Sequence, residues 1–574
     1  MSKAIELPTL RKSISHSRAN ACRRLIYCAT HPSRWRLLVR KPLFWVVLIM
    51  LIAAITLCSL LPIVQGYHGK LTVDLGYAKY RGVHVGHGIN EWLGIRFAAP
   101  PLGDLRWRAP QPPLVNDTLI DADTHGPVCL PTPSSSLPTV QNEDCLFLDV
   151  YAPSKKSSKL LPVHVHFQGG GFNNNADPNL DGGPLIRAGE YDMIVVTFNY
   201  RVGPWGFLAS KEVVADGDLN VGLLDQRFVL QWVQKYIQLF GGDPKHVTIG
   251  GASAGAASVN LHLSAYGGRD DGLFIAAAAE SQSFGAQMTV EESQYQYDAL
   301  VSRVGCADTT STLKCLRDLD VSLLAEDNVA VPSPGGAGEN PVFMYSNVID
   351  GDFTPDYTYR LFEQGKFIKV PVIFGSVTNE GTSFTPKHIA NYTSVNNFLK
   401  NNWVKLTEAQ LAQIDFYYPK AEQFPNSGAY WRTAANAYGE MRYNCPGIYL
   451  SGQYPSYGYN ASWNYHWDVV EPAKAINGLG VTHVSESPAI WGTASWPAKK
   501  LTPTIQGYWT SFIRSGNPNT YRLPDSPVWE VFNSETQQRI YFPNDVSNVA
   551  MQSVPEDQKE RCAYLTSIGV SIAQ

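Results

Sequence analysis

The stretch VTIGGASAGAASV, residues 247–259, decides how this chain is read. A β-type run, Val247-Thr248-Ile249, leads into Gly251-Ala252-Ser253-Ala254-Gly255, and the helix-like segment AASVNLHL follows. Small residues crowd many helix starts, where a serine simply caps the first turn. Here the pattern G-x-S-x-G stands between a strand and a helix, the setting of a nucleophile elbow. In such an elbow a serine hydroxyl projects from a strained turn. Side chains two positions to either side would collide, so glycines are required there. The helix N-terminus behind the serine favours negative charge developing beside it.

A nucleophile needs an oxyanion hole, a base and an acid. Upstream, Phe167-Gln168-Gly169-Gly170-Gly171-Phe172 closes the strand-like run LPVHVHF (161–167). Consecutive glycines let backbone N–H groups converge on one anion, although three glycines can also be a plain flexible turn. In this type of site the acid and then the histidine follow the serine in the chain. Four histidines follow Ser253: His262, His388, His466 and His483. His262 falls in the helix after the elbow, and His466 lies in a strand pattern as a core residue. His483, in GLGVTHVSE, occupies a glycine-containing loop after that strand and is the expected base. Many carboxylates could serve as the acid. Glu380 is the candidate by position, in a polar glycine turn directly after the apolar run VPVIF.

The surrounding pattern is that of a large globular chain. The 574 residues are 44% hydrophobic and rich in aromatic side chains, enough to bury a large core. Apolar runs such as DMIVVTFNY (192–200) alternate with helical spacing in GLLDQRFVLQWVQKYIQLF (222–240). Strands alternating with helices predict a mostly parallel α/β sheet. No repeat or long linker divides residues 68–574, which read as one domain. Charge is unevenly spread. Residues 1–41 hold ten Lys/Arg against one acid, a net +9, so the whole-chain −4 leaves −13 for the remainder. An acidic body speaks against a nucleic-acid partner.

The basic head is followed by a charge-free apolar run at 42–64, in which Leu43–Leu61 is long enough, at ~1.5 Å per residue, to cross a bilayer. A buried core helix or a cleaved signal peptide could carry the same pattern. The 41 preceding residues are long for a signal peptide, so an uncleaved signal anchor is expected. The basic side stays cytoplasmic and residues 68–574 lie outside the cytoplasm; cleavage would instead give a secreted protein. Downstream, six cysteines form an even set: Cys129, Cys145, Cys306, Cys315, Cys445 and Cys562. Their spacing leaves fifteen pairings open. Sequons at Asn116, Asn391 and Asn460 also fall only on this side and are expected glycosylation sites.

With these residues in view, the chain resembles the type-B carboxylesterase/lipase family, cholinesterase-like α/β-hydrolases, from about residue 69 to 565. The resemblance rests on LGIRFAAPPLGDLRW (93–107), NEDCLFLDVYAP (142–153), NYRVGPWGFL (199–208), NVGLLDQRFVLQWV (220–233) and FGGDPKHVTIGGASAGAASV (240–259). It implies an α/β-hydrolase fold with Ser253, Glu380 and His483 as the triad and Gly170, Gly171 and Ala254 as oxyanion donors. It implies disulfides Cys129–Cys145, Cys306–Cys315 and Cys445–Cys562, and ion pairs Arg106–Glu143 and Arg201–Asp225. The implied reaction is ester hydrolysis through an acyl-enzyme on a small-molecule ester, with no metal or organic cofactor; the oligomeric state is left open.

Two departures narrow the substrate. Ala252 stands where family members often carry glutamate, and no tryptophan lies between Cys129 and Cys145, so choline esters are not expected. Only 15 residues separate those cysteines, a short lid, which favours small or medium-chain esters over emulsified fat. A lipase on longer chains, or a non-catalytic adhesion protein on the same fold, are the alternatives.

Overall fold

The computed structural model describes residues 71–133 and 141–574, and Leu71–Gln574 forms one compact unit. The basic tail (1–41) and the apolar run (42–64) lie outside the described residues. So does the anchor predicted there; no helix among the described residues is long and apolar enough to cross a membrane.

Eleven strands make the central sheet. In chain order they are β1 (Val83–Gly86), β2 (Ile89–Arg96), β3 (Phe147–Pro153), β4 (Leu161–Phe167), β5 (Ile194–Phe198), β6 (Gly242–Ala252), β7 (Ala276–Glu280), β8 (Val372–Val377), β9 (Ser462–Asp468), β10 (Gln538–Pro543) and β11 (Ala550–Ser553). Across the sheet the order is β11-β10-β9-β8-β7-β6-β4-β5-β3-β2-β1. The seven strands from β10 to β5 run parallel, and antiparallel strands close both flanks. Parallel strands need crossovers, and helices supply them on both faces.

The alternation of side chains along each strand divides the core. On β4, Val163, Val165 and Phe167 pack into one core with Leu223, Val229, Leu230 and Val233 of helix α1 (Val221–Tyr236). Ala256, Val259 and Leu263 of helix α2 (Ala254–Gly268) join them there. His164 and His166 point the other way, against Trp491. The second core holds Trp463, Tyr465 and Trp467 of β9. Against them lie Ile505, Trp509 and Phe512 of helix α4 (Thr502–Ser515); helix α3 (Trp431–Gly439) belongs to a third, mainly helical cluster with Trp403 and Met441. The predicted strand 161–167 and helix 222–240 are present; the helix tightens to a 3₁₀ turn at Ile237–Phe240. VTI is the middle of a longer strand than its three residues announce.

All three disulfides implied by the family pairing are formed, which places this unit outside the reducing cytosol. The bond Cys445–Cys562 closes 117 residues and is worth ~4–5 kcal/mol on the chain-entropy argument. Both expected ion pairs are buried. The Arg201 guanidinium meets Asp225 through Nη2–Oδ1 at 2.7 Å and Nε–Oδ2 at 2.8 Å, and the Arg201 N–H donates to the same carboxylate. Arg106 grips Glu143 in the same two-pronged way and donates to the carbonyl of Leu316. A buried pair broken on one side leaves an unpaired charge. Arg201→Met should therefore lower unfolding free energy by about 3–5 kcal/mol in denaturant titration; a loss below about 1 kcal/mol would show that the carboxylate is resolvated.

Candidate active site

Strand β6 delivers Ser253 to the C-terminal edge of the sheet, where the chain reverses into α2. Ser253 adopts φ 60°, ψ −118°, a conformation a side chain tolerates only when its surroundings enforce it. The enforcement is steric. A Cβ at Gly255 would lie 1.9 Å from the carbonyl oxygen of Phe167, and one at Gly251 would lie 2.5 Å from the carbonyl carbon of Gly255. The two glycines of the motif thus allow the turn to fold back on β4. Behind it the Ser253 N–H donates to the carbonyl of Glu280 at 3.0 Å.

The glycine run after β4 lies against this elbow: a Cβ on Gly169 would come within 3.0 Å of the Ser253 Cβ. Gly170 and Gly171 have φ of 115° and 62°, which turns their N–H groups away from the strand direction. Among the described residues those two N–H groups donate to no protein acceptor. Asn173 holds the loop in this shape: its N–H donates to the Gly170 carbonyl, and its Nδ2 donates to the Gly171 carbonyl at 2.6 Å. The Ala254 N–H stands at the start of α2, where no intrahelical acceptor exists.

Glu380 follows β8 in a 3₁₀ turn and is buried. One oxygen accepts the Val377 N–H at 2.8 Å; the other contacts Nδ1 of His483. The remaining ring nitrogen, Nε2, is buried without a protein partner. Asn379 clamps the Glu380 and His483 segments together. Its N–H donates to the Val481 carbonyl, and its side-chain oxygen accepts the Val481 N–H at 3.0 Å. Gly480, at φ 67°, is needed because a Cβ there would lie 2.0 Å from that same oxygen. Tyr443 and Phe384 pack on the His483 ring at 4.3 and 5.1 Å between centroids. The His483 loop and the elbow meet at β7: Ser281, next to Glu280, accepts the Val484 N–H.

Under this junction lies a buried acidic pair. Glu486 accepts hydrogen bonds from Ser281 and Tyr465, and burial, with Glu380 nearby, pushes its carboxyl up to about 7. Burial pushes Glu280 up to about 8. The other histidines are elsewhere. His262 is buried against Gln226, His466 sits on β9 beside Thr378, and His388 is exposed. Asn379, Asn173, Tyr443 and Glu486 carried no motif in the sequence, and only Asn379 could have been suspected, from its place next to the acid. Glu440, Cys445 and Cys562 approach one another. Both sulfurs are joined in the disulfide and Glu440 is engaged by Arg561 and Tyr418, so the donor set does not suit a metal.

An eleven-stranded, mostly parallel sheet with a serine elbow, a glycine loop and a buried His–Glu pair at its C-terminal edge defines a protein of the α/β-hydrolase class. The sequence profile of the Carboxylesterase family matches residues 70–563. Secreted lipase 4 of Gibberella zeae is 28% identical over 551 residues, covering 89% of this chain and 96% of that protein. The para-nitrobenzyl esterase of Bacillus subtilis is 29% identical over 520 residues, covering 85% and 97%. Among solved structures, Aspergillus niger EstA superposes with a TM-score of 0.85 at 40% identity, over 88% of this chain and 99% of that one. The chain belongs to the carboxylesterase family and is a serine carboxylesterase.

The Glu280 carboxyl titrates higher folded than its ordinary 4.5. Stability from its neutral form is therefore full below that value and lost as pH rises through about 8. Glu280→Gln removes the titration and keeps an acceptor for Ser487. Its melting temperature relative to the native chain should climb as pH rises from about 5 to about 8; a constant difference would mean Glu280 is ionised throughout. Asn379→Ala should lower kcat about 10²-fold by loosening the His483 loop, with KM little changed. A loss in KM alone would contradict the clamp.

Proposed function

We propose that this protein hydrolyses small or medium-chain carboxylic esters through a Ser253–His483–Glu380 triad and an acyl-enzyme. His483 Nε2 takes the Ser253 proton as Oγ attacks the ester carbonyl carbon. The carbonyl oxygen becomes an oxyanion held by the N–H groups of Gly170, Gly171 and Ala254. The tetrahedral intermediate collapses, and His483 passes its proton to the departing alcohol. Water then attacks the acyl-enzyme by the same route and releases the acid. Glu380 fixes the ring so that Nε2 faces outward, and stabilises the imidazolium. The observation that carries this reading is a histidine bound at Nδ1 to a buried carboxylate, with Nε2 left without a protein partner. The short segment between Cys129 and Cys145 supports esters in solution over emulsified lipid. The likeness to the secreted lipase of Gibberella zeae keeps a lipase as the second reading.

We also propose that the protein is a single-pass membrane enzyme. Its basic tail would be cytoplasmic and the run at 43–61 its anchor, with the catalytic unit outside the cytoplasm. The disulfides support export, and Asn116, Asn391 and Asn460 are all exposed as acceptors of N-glycans. At Asn391 the side-chain oxygen caps a helix by accepting the Ser394 N–H, which leaves its Nδ2 available for the sugar.

Ser253→Ala and His483→Ala should each lower ester turnover by about 10⁴-fold or more, and the double variant little further, because the two act as a unit. Additive losses would remove the triad. For topology, tags at both ends are followed through protease treatment of sealed microsomes. Digestion of the N-terminal tag and protection of a glycosidase-sensitive C-terminal tag are expected. A mature protein beginning near residue 66 would make the enzyme secreted.

A further inference from the structure

Helix α3 does not pass smoothly into the next helix. It runs through a π-helical turn at Glu440–Asn444 before continuing at Cys445. Wide turns of this kind re-aim side chains and are often found at functional sites. Here the turn presents Tyr443 to His483, and its neighbour Arg442 to a cavity of about 250 Å³ on the other side of Phe343. Phe343 is a shared wall. Its ring occupies the space above Gly171, where an added Cβ would be 2.1 Å away, and it packs on Phe384, which touches His483.

Arg442 is only 8% exposed and has no carboxylate partner among the described residues; the neutral hydroxyls of Tyr438 and Tyr443 lie beside its guanidinium, and its Nε is buried without a partner. Its flanks are the rings of Phe343 and Tyr443, 4.9 and 5.8 Å from the guanidinium carbon. The acids around it are committed elsewhere. Glu380 holds His483, Glu440 holds Arg561, and Glu292, which lines the cavity, is paired with Lys405 at 2.7 Å. Burial keeps the hydroxyls of Tyr438 and Tyr443 above their usual range, as neutral phenols. The side chains lining the cavity therefore sum to one net positive charge, because the Glu292–Lys405 pair cancels and the remaining walls are uncharged groups such as Met344 and Ser346. A buried cation without a counter-charge is costly, and a bound anion relieves that cost.

We propose that this cavity is a subsite for a carboxylate carried by the ester substrate, with Arg442 as the counter-charge that selects it. The preferred substrates are then esters bearing a second, free acid group, on either the acyl or the alcohol half. This rests on ester hydrolysis at Ser253, and it makes Arg442 a specificity residue beside the glycine loop rather than part of the triad.

The test uses the full chain and two matched pairs of substrates, with rates normalised to alkaline hydrolysis. On the acyl side, 4-nitrophenyl hydrogen glutarate is compared with 4-nitrophenyl valerate. On the alcohol side, 4-acetoxybenzoate is compared with methyl 4-acetoxybenzoate. The anionic member of one pair should have the higher kcat/KM, which identifies the half that carries the acid. Arg442→Met should abolish that preference, a loss of about 10- to 100-fold, the scale of a charged hydrogen bond, falling mainly on KM. Turnover of the neutral esters should persist, and Arg442→Lys should retain part of the preference. Equal rates within both wild-type pairs, or an equal fall for anionic and neutral esters in Arg442→Lys, would overturn the subsite while leaving the esterase intact. If no ester is turned over, the esterase reading fails, and the subsite is judged by glutarate dianion alone. A rise in wild-type melting temperature that Arg442→Lys reduces supports it, and no rise overturns it.

Discussion

The tight approach of one turn to one strand governs this structure. Gly255 sits so close to the carbonyl of Phe167 that no side chain fits between them. Because of that contact the chain can reverse at Ser253 with φ 60°, at a cost of ~1–3 kcal/mol of local strain. The strain is held by neighbours on both sides: β4 packs under the elbow, and the carbonyl of Glu280 at the end of β7 accepts the Ser253 N–H. The glycine loop that follows β4 is confined by the same elbow, since a Cβ at Gly169 would lie 3.0 Å from the Ser253 Cβ. A larger residue at 255 would displace Ser253 and the glycine loop together.

Glu380 and His483 come from further away, and a second set of contacts brings them in. β8 and β9 run parallel, so the turns after each emerge at the same edge of the sheet. Asn379 then binds one turn to the other, and Ser281 ties the base loop back to the strand beside the elbow. Ser253 and Glu380 follow the ends of two strands and His483 lies on the long loop after a third, each fixed through the backbone of its neighbours. Such pre-organisation lets a site act without reorganising at the moment of reaction. Helix α3 closes this region from above, its Ala435 carbonyl occupying the space where a Cβ at Gly381 would be.

The elbow was legible in the sequence because its requirement is local: a strand, two glycines, one serine, a helix. His483 was legible by elimination, since few histidines follow the serine. Glu380 was weaker by position, because carboxylates are many and the parallel pairing that selects one is non-local; resemblance to the family singled it out. The disulfides and buried ion pairs likewise came from family pattern, not from spacing. Asn173 and Asn379 act by holding loops at particular angles, which no residue pattern announces. Arg442 is the extreme case, because its interest lies in a missing counter-charge, and that exists only once the chain is folded.

The central claim is that Ser253 is activated by His483. A fluorophosphonate reacts with a serine only when its hydroxyl is so activated, and the adduct can be mapped by peptide mass. One adduct on Ser253 in the native chain, and none in His483→Ala under the same conditions, is the expected result. An adduct on another residue, or undiminished labelling of Ser253 without His483, would contradict it.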